Sequence, residues 1–272
     1  MNATTHQRVI EGPGGAITLR IHTPGTPAIG ERAVVVHFHG GGWVFGSPRE
    51  ADFICSTVAE GAGAIVVSVD YRLAPGHPYP AGLDDCYAAL VWVSTHAAEF
   101  GGDASRLGLV GESAGGNLVA GVSLLARDRG GPAIRHQTLL YPATDASMSA
   151  PSYRMNENAP WLTAADMRNA YKHYVPADVD RLDPGVSPLH ATEHADLPPA
   201  TIVVAGHDPL HDDGVWYAER LQQAGVPVEL FDYPRMVHGF VNVPHLFSDT
   251  AHALGEVVRA QRRYLSSESA EA

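Results

Sequence analysis

The chain has 272 residues, 45% of them apolar, and a net charge of −12. That length and apolarity suit one α/β domain with a full core and exclude a disordered chain. The acidic balance excludes non-specific binding to nucleic acid or anionic membranes, which need a basic surface.

Residues 1–11 are polar and hold no apolar signal-peptide core, and no apolar run reaches the ~20 residues that span a membrane. A cytoplasmic protein is therefore expected. Residues 16–22 alternate with period two and read as an edge strand. Residues 33–39 and 64–70 are almost wholly apolar, as strands covered on both faces are. Residues 82–98 carry helical periodicity. A short buried strand is expected at 107–111 and a helix at 114–127. Further core strands are expected at 138–141 and 200–205, a helix at 212–224, a last strand at 228–233 and a closing amphipathic helix at 250–265. Strands alternating with helices imply a parallel sheet, with the chemistry at the carboxyl ends of its strands. Residues 151–185 break the rhythm: they are polar yet carry Tyr153, Trp161, Tyr171 and Tyr174. They are expected to form a cap inserted between two segments of one core, 1–150 and 186–272. Cys55 and Cys86 are too few for a disulfide framework or a cysteine zinc site and are expected as buried thiols.

Gly111-Glu112-Ser113-Ala114-Gly115 matches G-x-S-x-G between a strand and a helix. In that context the pattern is a nucleophile elbow: the glycines permit a sharp turn and force the serine hydroxyl to its tip. Ser113 is the expected nucleophile. His39-Gly40-Gly41-Gly42-Trp43 follows the strand at 33–39. Three glycines in a row leave backbone N–H groups unobstructed, and such donors stabilise an oxyanion without reorganising. The expected donors are the N–H groups of Gly41, Gly42 and Ala114.

The order Ser…Asp…His places the acid after a late strand and the base after a later one. Asp208 and His238 lie just past the strands expected at 200–205 and 228–233. Asp212 and Asp213 are rivals for the acid, but charge at the start of a helix accounts for them. His207 and His211 have the i, i+4 spacing of a zinc pair, yet the glutamate of HExxH is absent and Pro209 blocks an early helix turn, so no metal is expected. His190 and His194 are expected at the surface.

The set HGGGW at 39–43, GESAGG at 111–116, DPL at 208–210 and HGF at 238–240 resembles the hormone-sensitive-lipase-like esterases of bacteria, as do residues 70–75 and Asp84-Asp85. The resemblance runs from about residue 15 to the C-terminus. It implies an α/β-hydrolase fold with a mostly parallel sheet, serine carboxylesterase activity on a small-molecule ester, and no cofactor. It assigns Ser113, Asp208 and His238 as the triad and gives His39 the task of bracing the glycine loop. Homodimers through the last strand or C-terminal helix are common in that family. The sequence departs from the family at Glu112, where aspartate is frequent, and at Gly76, where glutamate is usual. It also enters its first core strand within about twenty residues of Met1, ahead of which the family usually carries helices that complete the cap. An open, shallow pocket suited to short acyl chains is the expectation, with Trp43, Phe45, Trp161 and Tyr171 as candidate wall residues. Lactone or amide hydrolysis would use the same triad. A non-catalytic receptor on this fold would lack the triad histidine.

Overall fold

The computed structural model describes residues 2–267. Met1 and residues 268–272, the ends of the two expected core segments, lie outside the described residues. Strand β1 (Thr4–Gly12) enters the sheet by a hairpin with β2 (Gly15–Thr23). Its turn closes between Gly12 and Gly15, and Gly15 has φ +129°, a value that favours glycine. β1 takes the edge that the sequence assigns to residues 16–22, and β2 lies one place further in. Nearly all of β1 is exposed, so no buried alternation marks it in the sequence.

Among the described residues eight strands form one sheet in the order β1-β2-β4-β3-β5-β6-β7-β8. The others are β3 (Arg32–Phe38), β4 (Ile65–Asp70), β5 (Gly102–Glu112), β6 (Ile134–Leu140), β7 (Ala200–His207) and β8 (Val228–Val237). β2 runs antiparallel to β1 and β4; from β4 to β8 every pair is parallel. Parallel strands need crossovers, and helices supply them: α1 (Asp52–Ala62), α2 (Ala81–His96), α3 (Ala114–Asp128) and α6 (His211–Gln223), while α7 (Asp249–Tyr264) closes the chain after β8. The sequence reading passes over α1.

Helices cover both faces. Val34, Val36 and Phe38 of β3 belong to one core cluster with Leu90 of α2, Leu118 of α3 and Leu221 of α6. Val35 points the other way, into a cluster with Val58 of α1 and Val257 of α7. Alternate residues of one strand are thus buried in opposite cores, which makes these strands continuous apolar runs. Between β6 and β7 the chain leaves the sheet for α4 (Ser152–Met155) and α5 (Ala164–Tyr174). A capping box between Thr163 and Asp166 starts α5. Among the described residues no helix is long and apolar enough to cross a membrane.

Candidate active site

Ser113 follows β5 directly and starts α3. Its backbone has φ 57° and ψ −119°, a conformation costly for a residue with a side chain. Its surroundings hold it there: its N–H donates to the Leu140 carbonyl (2.8 Å) and its carbonyl accepts from Asn117 (3.1 Å). A Cβ on Gly111 would collide with the Gly115 carbonyl, and one on Gly115 with the Phe38 carbonyl, so neither flank tolerates a side chain.

The structure brings Ser113, His238 and Asp208 into one hydrogen-bonded line. Nε2 of His238 lies 2.9 Å from Oγ of Ser113, and its Nδ1 lies 2.6 Å from Oδ2 of Asp208. An ionised carboxylate only accepts, so Nδ1 carries the proton of the neutral ring and Nε2 accepts from the serine hydroxyl. Asp208 follows β7 and His238 follows β8, so both stand at strand carboxyl ends. Asp208 is fully buried, and its Oδ1 accepts from Leu210 N–H (2.8 Å). Asn156, just past α4, donates from Nδ2 to the backbone carbonyls of Asp208 (3.0 Å) and Gly206 (3.2 Å). The sequence reading missed Asn156, because nothing local marks a residue that acts across 52 positions.

The glycine loop is held from below. His39 donates from Nδ1 to the Gly40 carbonyl (2.7 Å), and Tyr71 donates from its hydroxyl to the His39 carbonyl (2.7 Å) while its ring stacks on the imidazole. Burial lowers the His39 pKa, against the bond to Gly40, so the ring is neutral. Glu112 accepts from Gly40 N–H on Oε1 (2.9 Å) and from His37 Nε2 on Oε2 (2.8 Å). His37 in turn bonds Oγ of Ser68 through Nδ1 (2.9 Å). Burial opposes charge on His37, but Cys55 and the Glu112 carboxylate favour it more strongly and push its pKa up to about 10. Gly41 and Gly42 have φ +115° and +60°, and the Gly41 carbonyl accepts from Val44 and Phe45. The N–H groups of Gly41, Gly42 and Ala114 donate to no other described residue.

A cavity of about 550 Å³ opens here, lined by Ser113, His238 and Gly40–Gly42 together with Leu162, Met167 and Ala170 of the segment between β6 and β7. Of the four candidate wall residues, Phe45 lines the cavity and is 73% exposed. Trp43 and Tyr171 are core residues instead, and Trp161 lies outside the lining, packed on Phe247.

The rival acids have other work. Oδ2 of Asp213 accepts from the N–H groups of Thr144 (2.9 Å) and Asp145 (3.1 Å) and from the Tyr153 hydroxyl (3.2 Å). Burial raises its pKa well above the usual carboxylate range despite those bonds. Asp212 accepts from Ser152 N–H (2.9 Å). Both fasten the root of the inserted segment, a role beyond the helix-end charge expected of them. His211 is occupied by Asp212 (2.8 Å) and Asp232 (3.4 Å), and among the described residues no cluster of three ligand side chains could hold a metal. His190 is exposed beside Asp145, but His194 is buried with Nε2 on the Pro188 carbonyl, which corrects the surface expectation for it. Both cysteines are buried free thiols, in no disulfide among the described residues.

The sequence pattern of the alpha/beta hydrolase fold family matches residues 35–242. The chain belongs to the α/β-hydrolase family. Within that family it is 47% identical over 254 residues to the carboxylesterase NlhH of Mycobacterium tuberculosis, covering 92% of this chain and 79% of that protein. It is 37% identical over 255 residues to an ethyl acetate hydrolase of Pseudomonas putida, covering 93% and 80%. Among solved α/β-hydrolase structures, an esterase of Pyrobaculum calidifontis superposes with a TM-score of 0.90 at 37% identity, covering 96% of this chain and 85% of that one. The expected resemblance to hormone-sensitive-lipase-like bacterial esterases is borne out.

Proposed function

We propose that this α/β-hydrolase is a serine carboxylesterase that hydrolyses small-molecule esters of short acyl chains through an acyl-enzyme. The observation that carries the reading is the line Ser113–His238–Asp208 at a cavity also lined by Gly41 and Gly42, whose N–H groups have no acceptor among the described residues. The esterases among its relatives support it.

In this reading His238 takes the Ser113 proton as Oγ attacks the ester carbonyl carbon. Asp208 keeps the imidazole in the tautomer that accepts at Nε2 and stabilises its charged form. The carbonyl oxygen becomes an oxyanion facing Gly41, Gly42 and Ala114 N–H. As the intermediate collapses, the C–O bond to the leaving group breaks and His238 gives that alkoxide the proton. Water then attacks the acyl-enzyme with the same base and the same donors, and the acid leaves.

Residues 151–185 act as the cap, since Leu162, Met167 and Ala170 line the cavity together with Ser113. The preference for short acyl chains rests on that lining. Its apolar stretch is broken by Asp166, Asn169 and His173, so a long alkyl chain would desolvate polar groups.

The test is labelling with a fluorophosphonate combined with turnover of p-nitrophenyl acetate. Wild type is expected to be labelled at Ser113 and to turn over, and Ser113→Ala to lose both by about five orders of magnitude while remaining folded. A Ser113→Ala protein with wild-type turnover overturns the assignment.

A further inference from the structure

Trp43 is the first residue after the glycines. Its φ is +59°, in the left-handed region that a bulky side chain disfavours. Its indole is 1% exposed and lies against the last turn of α5. The indole stacks on Tyr174, with centroids 4.3 Å apart and planes 4° off parallel, and meets Tyr171 at 5.1 Å. Among the described residues Nε1 of Trp43 has no hydrogen-bond partner, so shape and stacking hold the ring. The backbone beneath is pinned too, since its carbonyl accepts from Ala74 N–H (2.8 Å).

The same helix approaches the donors themselves. A Cβ on Gly42 would lie 3.1 Å from Cβ of Ala170, so α5 rests directly on the glycine loop. α5 is fixed at both ends, by its capping box at Thr163 and by Tyr79 N–H on the Tyr174 carbonyl (2.8 Å), while the Tyr79 hydroxyl donates to Asp183 (2.8 Å). A strained backbone persists only where its surroundings over-determine it, and here those surroundings belong to the inserted segment.

We infer that Trp43 is a positioning residue: gripped by Tyr171 and Tyr174, it transmits the placement of α5 to the N–H groups of Gly41 and Gly42. This rests on the proposed role of those groups as oxyanion donors. The cap wall then does more than shape the cavity. It sets the donors that act on the transition state, so a substrate that seats well against α5 gains in turnover as well as in affinity.

The test compares Trp43→Leu, Trp43→Phe and Tyr174→Leu, with rates expressed per fluorophosphonate-labelled Ser113. An alkyl trifluoromethyl ketone is the probe of the donors. Ser113 Oγ bonds its carbonyl carbon, the serine proton passes to His238, and the adduct carries the oxyanion. Trp43→Leu is expected to lower kcat/KM on p-nitrophenyl acetate by about tenfold or more and to raise the ketone Ki by the same factor. Trp43→Phe keeps a stackable ring and forfeits no hydrogen bond, so both values should return to within about threefold of wild type. Tyr174→Leu, which leaves the loop itself unaltered, should weaken the ketone in the same direction and decides the matter if Trp43→Leu does not fold. A purely structural role would reduce only the number of labelled sites or the melting temperature, and an unchanged ketone Ki per labelled site overturns the inference. If wild type itself is not labelled at Ser113, it is the esterase reading that fails.

Discussion

Glu112 and His37 form a buried pair at 2.8 Å that joins the residue before the nucleophile to the strand before the glycine loop. Because the other Glu112 oxygen holds Gly40 N–H, one carboxylate sets the spacing between Ser113 and the start of that loop. His37 has its pKa raised from 6.5 to about 10 against the cost of burial. A raised folded pKa contributes stability that is fully present below the unfolded value, near 6.5, and is lost as pH rises through the folded one. The melting temperature should therefore fall between about pH 7 and pH 10, and Glu112→Gln should flatten that fall. The substitution leaves the buried histidine its Cys55 neighbour but removes the Glu112 carboxylate, at a cost of about 3 kcal/mol. Thermal unfolding against pH for both proteins measures this, and an equal slope in the two would refute it.

Gly41→Ala should be severe. The backbone there has φ +115°, and the new methyl group would run into the Phe45 carbonyl. Relief requires the loop to move, which displaces an expected oxyanion donor. A loss of about a hundredfold in kcat is predicted, with the folded state weakened by about 1–3 kcal/mol. Steady-state kinetics with p-nitrophenyl esters and urea titration check the two effects separately.

Asn156→Ala removes two donors from carbonyls around the buried acid, at Gly206 and Asp208. Leaving those carbonyls short of partners costs about 1–2 kcal/mol. A looser Asp208 orients His238 less well, so kcat/KM should fall about tenfold. A variant that loses stability without losing kcat/KM would show that the link serves folding alone.

A series of p-nitrophenyl esters reads the wall of the cavity. Rates should peak at about six acyl carbons or fewer, since each methylene in an apolar pocket changes selectivity by about tenfold or more and the polar Asp166, Asn169 and His173 that share the lining with Met167 and Ala170 end that gain. A maximum at about ten carbons or more would refute the short-acyl reading.

By itself the sequence determined the elements whose cause is local. The buried strands are legible because both their faces are covered, and Ser113 because its turn admits only glycine at Gly111 and Gly115. Asp208 and His238 were found because each lies just past an expected late strand, in an order that the fold dictates; the strands in fact run on to His207 and Val237. Tertiary structure alone decided the rest. β1 is exposed and has no period to betray it; it forms because β2 offers a free edge. Trp43 reads as a wall residue until Tyr174, far along the chain, is seen stacked on it. Glu112 and His37 lie 75 positions apart, and Asn156 and Asp208 lie 52 apart. A hydrogen bond between such residues leaves no trace in either neighbourhood, because its partner is supplied by the packing of strands and not by the order of the chain.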